Sequence, residues 1–364
     1  MPRVLRYILL ALLWALVGGY LLFAAVSARR ARSQRLVERL EIEVVDSTER
    51  GHLVSSVQVR EWIDRSGIPT IGTAVDAVDL SGLEALIARN GFVRSAVAHV
   101  DYAGTLRISV GQREPLLRLL TDGLDAYVTA EGYVFAAPKA SALYVPVVTG
   151  PYKPPFPKEY TGDVREYVDG EIARIDARIE ALEKEKYPLY QREIENDRRI
   201  DALRSRRIKR RWFESARDFE RRVAELRQEK ATLRRGYRYE ARIIREEIDD
   251  LGRRQEEERR RQKKLAKNYE DFAKLLTFVQ SVESDALRRS EVVQIIARTT
   301  PGGALEVDLV PRSGDCTIRF GRLEDEERKF EKLMRFYREG LARIGWEEFR
   351  TIDLRYDGQV VCRK

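Results

Sequence analysis

The stretch that most strongly indicates the fold lies near the C-terminus and reads IDLRYDGQVVC, residues 352–362. Its charged residues Asp353 and Arg355 alternate with apolar ones, which is the period of a β-strand with one buried face. Asp357-Gly358 then predicts a tight hairpin turn or a bulge. We therefore expect this region to consist of short β-strands.

The same β pattern extends upstream in two separate segments. Leu305, Val307 and Leu309 alternate with charged residues, and a helix with Phe330 on its apolar side follows. Far earlier, residues 114–152 show a hairpin-like pattern with Gly132 at the turn. The sequence thus predicts a mainly β domain built from residues 114–152 and 273–364.

Residues 40–113 predict a separate small domain. A short β run is followed by two helical patterns and then by two alternating strands around Gly104. The order β-α-α-β-β is that of a POTRA module, a small polypeptide-docking domain, although a generic α+β domain would have the same order.

Several short motifs, each weak alone, occur in a characteristic order. They are Gln112-Arg113-Glu114-Pro115, Gly132, Pro146 to Gly150, Gly314 to Gly321, and Ile352 to Tyr356. With this order the sequence resembles the FtsQ/DivIB family of bacterial cell-division proteins, over the N-terminal apolar segment, residues 40–150 and residues 273–364.

The resemblance implies a non-enzymatic divisome scaffold. Such a protein recruits and holds division membrane proteins of the FtsB/FtsL type through its extracytoplasmic domains, and so regulates septal peptidoglycan synthesis indirectly. It implies partner binding by β-augmentation at the last strands. The matching residues are Ile352, Asp353, Leu354, Arg355, Tyr356, Gln359, Val360 and Val361. The alternative to partner contact is that Leu354 and Tyr356 are core residues and that Arg355 belongs to a structural ion pair. The interdomain junction would be formed by Gln112, Arg113 and Pro115.

The N-terminal segment predicts a membrane anchor. Residues 7–26 contain no charge and are long enough for a transmembrane helix, between a cytoplasmic tail (1–6) and a basic juxtamembrane linker (27–39). A cleaved signal peptide is the alternative. The flanking charges favour an orientation with most of the chain in the cytoplasm. The resemblance instead implies that most of the chain is extracytoplasmic, at the division septum of the inner membrane.

Residues 153–272 look like an insertion. Residues 171–270 hold 31 Lys or Arg and 23 Asp or Glu, so this block carries the whole net charge of +8. Apolar residues at spacings of three and four predict a long antiparallel coiled-coil hairpin, with Pro188 and Gly236 level with each other. Its basic tip would dock to an acidic surface or to anionic lipid, or would simply be a solvated end. The tip residues are Arg206, Arg207, Lys209, Arg210 and Arg211.

Composition argues against catalysis. The chain has two cysteines, Cys316 and Cys362, and two histidines, His52 and His99, without metal-site spacing. We therefore expect no enzyme activity, no catalytic residues, no metal, no cofactor, no small-molecule substrate and no nucleic acid. The two thiols either pair or lie buried as small apolar groups. A periplasmic adaptor of an efflux or secretion system, using the hairpin, is the alternative function.

The fold class that follows is α+β. It combines an N-terminal transmembrane helix, a POTRA-like β-α-α-β-β domain, and a mainly β second domain interrupted by the long helical hairpin.

Overall fold

The computed structural model describes residues 12–24, 35–45, 53–138, 143–313, 315–341 and 349–364. The chain is α+β with a long helical region, and it divides into two compact units. One unit comprises Met1–Lys153, Pro157–Val164 and Ala273–Lys364. The other comprises Pro154–Phe156 and Arg165–Phe272.

The predicted transmembrane helix at residues 7–26 is wrong in this structure. The described helix α1 covers residues 12–24, and no helix in the described part of the chain is both long and apolar enough to span a membrane. The predicted tail at 1–6, the first part of the linker and His52 lie outside the described residues.

The first unit begins with a three-stranded sheet covered by two helices. Its elements are β1 (Arg39–Val45), α2 (Ser56–Ser66), a 3-10 turn (Val75–Ala77), α3 (Leu80–Ala88), β2 (Val93–Val100) and β3 (Thr105–Gln112). The strand order is β1-β3-β2, with β1 parallel to β3. Assignment of this β-α-α-β-β region to the POTRA class stays a prediction.

The helices form because their ends and faces suit them. The Ser55 hydroxyl accepts a hydrogen bond from the Gln58 N–H and caps the start of α2, and Gly67, with a left-handed φ of 72°, caps its end. The apolar faces of α2 and α3 bury Ile63 and Leu83 against the sheet.

The second sheet has ten strands, drawn from both sides of the insertion. The first five are β4 (Pro115–Thr121), β5 (Leu124–Thr129), β6 (Tyr133–Ala136), β7 (Val147–Thr149) and β8 (Gly162–Asp163). The others are β9 (Val292–Thr299), β10 (Leu305–Pro311), β11 (Thr317–Arg322), β12 (Thr351–Asp353) and β13 (Val361–Arg363). The strand order is β13-β12-β11-β10-β9-β7-β4-β5-β6-β8. The parallel pair of β7 and β9 joins the two segments into one sheet.

Two helical stretches accompany the C-terminal strands. Helix α6 (Ala286–Glu291) precedes β9, while α7 (Glu326–Phe336) follows β11 and continues into a π-helical turn (Tyr337–Leu341). Phe278, Phe320 and Phe330 form a buried aromatic cluster, with ring centroids 5.1–6.0 Å apart. This cluster fixes α7 against β11 through apolar burial.

The second unit is an antiparallel pair of long helices. It takes in most of α4 (Val164–Ser205) and of α5 (Ala216–Ser284). Two hydrogen bonds between the helices show their antiparallel order. Gln262 donates to the Asp176 carboxylate, and Asn196 donates to the Tyr237 carbonyl. Since residue 196 lies beside residue 237, Pro188 is not level with Gly236, and that prediction is wrong. The name coiled coil stays a prediction.

Candidate functional site

The C-terminal edge of the ten-stranded sheet is formed by β13. Strand β12 lies between β11, to which it is parallel, and β13, to which it is antiparallel. No strand lies on the other side of β13 among the described residues. A sheet edge exposes unpaired N–H and C=O groups that a further strand can bond.

The direction of the peptide groups identifies the outward ones. The Arg363 carbonyl accepts a hydrogen bond from the Arg350 N–H at 2.9 Å, so it faces β12. Successive residues of a strand present their peptide groups to opposite sides, and the N–H and C=O of Cys362 therefore point away from β12. Cys362 is half-buried, and its thiol is free.

Of the eight predicted contact residues, two lie in β12, one lies in β13 and five lie between these strands, and the structure puts β12 inside the sheet. Ile352, Asp353 and Leu354 are only 1%, 4% and 1% exposed. Their side chains are buried, and the backbone edge of β12 is already paired with β13. Of the eight predicted residues, those that reach the surface or lie half-buried at the edge are Arg355, Tyr356, Gln359, Val360 and Val361.

Asp353 and Arg355 form a two-pronged ion pair. Arg355 Nε lies 2.9 Å from Asp353 Oδ1, and Nη2 lies 2.6 Å from Oδ2. Burial alone raises the pKa of Asp353, but the hydrogen bonds from the Arg355 side chain and backbone N–H outweigh burial, so this pKa lies below its ordinary value. The hydrogen bond to Asp353 raises the pKa of Arg355. The pair therefore fixes the chain where it leaves β12.

Helix α7 holds the segment between β12 and β13. Lys332 Nζ donates to the carbonyls of Leu354 at 2.8 Å and Tyr356 at 2.6 Å. Arg328 lies 3.6 Å from Asp357. No periodic pattern in the sequence points to Lys332, because its partners are backbone carbonyls 22 and 24 residues away.

A surface groove of about 1030 Å³ lies beside this edge. Its apolar lining includes Leu287, Phe330, Met334, Phe336 and Val360. Val360 directly precedes β13, so the groove adjoins the open strand. Side chains of a strand docked on β13 would have apolar surface available there.

The predicted junction residues lie where the two sheets of this unit meet. Gln112 is 2% exposed, and its Oε1 accepts from the Leu53 N–H at 3.1 Å. The Arg113 guanidinium lies 3.4 Å from the centre of the Tyr133 ring. Pro115 begins β4 opposite Thr129. These contacts couple the end of β3 to the start of the second sheet.

The core on both sides of this junction is continuous. Tyr127 and Phe135 of the second sheet are buried in one apolar cluster with Leu83 and Ile108 of the first. Phe135 also meets Phe92 edge to face, at a centroid distance of 5.7 Å. Sequence periodicity assigned these residues to separate domains and did not reveal the shared core.

The predicted tip residues form the connection between α4 and α5. Arg206 pairs with Glu229 at 2.6 Å, and both Nε and Nη2 of Arg210 donate to the Glu214 carbonyl. Arg207, Lys209 and Arg211 are exposed. The sequence singled out these cations but not the neighbouring aromatic pair Trp212 and Phe213, which are 92% and 96% exposed.

The described residues contain no group of three or more His, Cys, Asp or Glu placed to hold a metal ion. Cys316 is buried and Cys362 half-buried, and both thiols are free. Burial raises the pKa of both thiols, which keeps them protonated and poorly nucleophilic at neutral pH.

Residues 258–363 match the family model described as "FtsQ/DivIB, C-terminal related". This region is FtsQ/DivIB-like. The match includes β9 to β13, α7 and the Asp353–Arg355 pair, and it confirms the resemblance for this part of the chain. FtsQ/DivIB proteins are non-enzymatic cell-division proteins, so the match indicates a role in cell division. The resemblance over residues 40–150 stays a prediction. No curated protein matches the chain.

Proposed function

We propose that this protein is a non-enzymatic scaffold of the division septum, which recruits and holds other division proteins of the FtsB/FtsL type. It would regulate septal peptidoglycan synthesis through those partners. The observation that carries the proposal is the open strand β13, which lies within the FtsQ/DivIB-like region.

The binding mode we propose is addition of a partner strand to β13. The outward N–H and C=O of Cys362 offer two hydrogen bonds, worth about 1–3 kcal/mol together. Micromolar binding needs about 8 kcal/mol, so the backbone alone is insufficient. The remainder would come from apolar partner side chains in the groove lined by Met334, Phe336 and Val360.

The edge is preorganised for this role. Lys332 and the Asp353–Arg355 pair fix the chain between β12 and β13, and α7 is held by the Phe320–Phe330 contact. A rigid edge loses little conformational entropy when a partner strand binds. Exposed Arg363 next to Cys362 favours an acidic residue in the partner strand.

The test compares two substitutions at one position. Cys362→Pro and Cys362→Ala both remove the thiol, but only proline removes the outward N–H and places a ring at the edge. Affinity for a purified FtsB/FtsL-type pair is measured by titration calorimetry with the full chain. We expect Cys362→Ala to bind like the wild type and Cys362→Pro to bind at least roughly tenfold more weakly, since a hydrogen bond and close approach are both lost.

Circular dichroism and thermal unfolding check that both variants remain folded, and amide hydrogen exchange at residues 351–353 checks that β12 stays paired with β13. Equal binding by the two variants would contradict β-augmentation at β13, and absence of binding by the wild type would contradict the proposed partners. The adaptor function suggested by the hairpin is not favoured, because residues 258–363 match a division family.

A further inference from the structure

The connection between the two long helices carries an exposed aromatic turn. The Glu214 N–H donates to the Arg211 carbonyl at 3.2 Å, which closes a β-turn with Trp212 and Phe213 at its two central positions. Such positions usually hold Gly, Asn, Asp or Pro. Here they hold two large apolar rings, which are 92% and 96% exposed. No other residue in the described part of the chain covers these rings.

The turn is internally braced. Glu214 Oε2 accepts from the Arg211 N–H at 2.9 Å, and Oε1 bonds Arg222 at 2.6 Å. The hydrogen bond from the Arg211 N–H, followed by that from Arg222, lowers the pKa of Glu214 and keeps it ionised. The one carboxylate nearest the turn is therefore engaged in holding the aromatic pair outward.

The surroundings of the turn are strongly positive. Residues 204–213 read RSRRIKRRWF and contain six Lys or Arg and no Asp or Glu. Arg204 and Arg206 are paired with Asp201 and Glu229. Arg207 and Lys209 make no ion pair with any carboxylate among the described residues, and both are exposed.

We infer that this hairpin tip binds the surface of an anionic lipid bilayer. Trp and Phe favour the boundary between headgroups and acyl chains, where their rings leave water, and Lys and Arg side chains bond lipid phosphates. Each basic residue near an anionic surface strengthens binding about fivefold. The tip combines both elements: Trp212 and Phe213 at the apex, with Arg207, Lys209 and Arg211 close by in sequence.

An acidic protein surface would use the cations but leaves the aromatic apex unexplained. Protein interfaces bury aromatic anchors in concave pockets, whereas two adjacent rings on a projecting turn suit a soft planar boundary. This is why the lipid surface is the occupant we propose, and an acidic polypeptide becomes an outcome of the test.

The experiment follows Trp212 itself in the full chain. The chain has four tryptophans, so the Trp212 signal is obtained as the difference between the wild type and Trp212→Phe. Vesicles carry bromine on the acyl chains and contain either phosphatidylcholine alone or phosphatidylcholine with phosphatidylglycerol. We expect bromine to quench the Trp212 signal only in the anionic vesicles, and salt to reverse the quenching.

A matched pair of charge variants tests the cations. Arg207→Ala with Lys209→Ala removes two positive charges at the tip, and Lys263→Ala with Lys264→Ala removes two exposed positive charges from α5. The tip variant is expected to need roughly 25-fold more lipid for half-maximal Trp212 quenching, about fivefold for each charge. The α5 variant is expected to behave like the wild type. Circular dichroism checks that the helical hairpin stays folded in both variants.

Three results would overturn the inference. The first is an unchanged Trp212 signal in anionic vesicles, even where the chain sediments with them, because another segment would then hold it there. The second is a Trp212 response to an acidic polypeptide such as polyglutamate without a response to vesicles. The third is equal lipid dependence of the tip and α5 variants.

Discussion

Arg355 lies directly against Gly321, so that a Cβ atom added to this glycine would be 2.7 Å from Arg355 Cγ and 3.0 Å from Cδ. Gly321 also has a φ of 79°, a conformation that side chains rarely adopt. The contact joins two segments that the sequence shows as separate motifs, Gly314 to Gly321 and Ile352 to Tyr356. Their glycine and arginine are thus two sides of one packing arrangement beside β12.

Gly321→Ala is expected to destabilise the protein by about 2–5 kcal/mol, measured by urea unfolding of the β-rich unit. The left-handed backbone conformation costs about 1–2 kcal/mol for a residue with a Cβ atom. Displacement of Arg355 adds the cost of weakened hydrogen bonds to Asp353, which is about 1–3 kcal/mol.

Gly358→Ala separates these two causes. Gly358 has a φ of 68°, but nothing lies within 4 Å of an added Cβ atom. Only the backbone cost of about 1–2 kcal/mol is therefore expected. Equal destabilisation by both substitutions would mean that the Arg355 contact contributes nothing.

Asp353→Asn is expected to lower stability by about 1–3 kcal/mol at pH 7, since a hydrogen-bonded charge is lost. The pKa of Asp353 is lower in the folded protein than in the unfolded chain. Its stabilising contribution is thus complete above the ordinary carboxyl pKa of about 3.9, and is lost as pH falls through the lower folded pKa. The difference between wild type and variant in urea unfolding should shrink below about pH 4.

Asp357→Asn is the control for this titration. The Asp357 side chain is 93% exposed and lies 3.6 Å from Arg328, a geometry in which ion pairs contribute little. Its substitution should change the free energy of unfolding by less than about 0.5 kcal/mol at any pH. A wild-type to Asp353→Asn difference that stays constant down to pH 2 would exclude ionisation of Asp353 as its origin.

The sequence predicted strands at the C-terminus but not which strand forms the edge. Alternation identifies a β-strand because it is a local property, whereas strand order depends on pairing between distant residues. Ile352 pairs with Ile318 on one side and with Cys362 on the other. The apolar pattern of β12 therefore reflects burial within the sheet, and the open backbone belongs to β13.

The hairpin shows the same limit for helices. Spacing of apolar residues predicts two antiparallel helices, with Pro188 level with Gly236. The contacts of Asn196 with Tyr237 and of Glu193 with Arg245 set a different register. Long helices pack by side-chain fit along their length, and that fit sets the register. Helix α5 is longer than α4, and Pro188 lies inside the continuous helix α4.

The junction between the two sheets provides the last prediction, Gln112→Leu. Gln112 Oε1 is the acceptor for the buried Leu53 N–H, and leucine fills a similar volume without offering an acceptor. An unsatisfied buried N–H costs about 1–3 kcal/mol, so the free energy of unfolding should fall by that amount. Val97→Ala, at a side chain that is 56% exposed in the same sheet, should change it by less than about 0.5 kcal/mol.

Amide hydrogen exchange gives the specific readout, because faster exchange at Leu53 alone would show a local contact. Faster exchange that extends to Tyr127 and Phe135 would show that Gln112 couples the two sheets, whereas unchanged exchange at Leu53 would contradict the hydrogen bond.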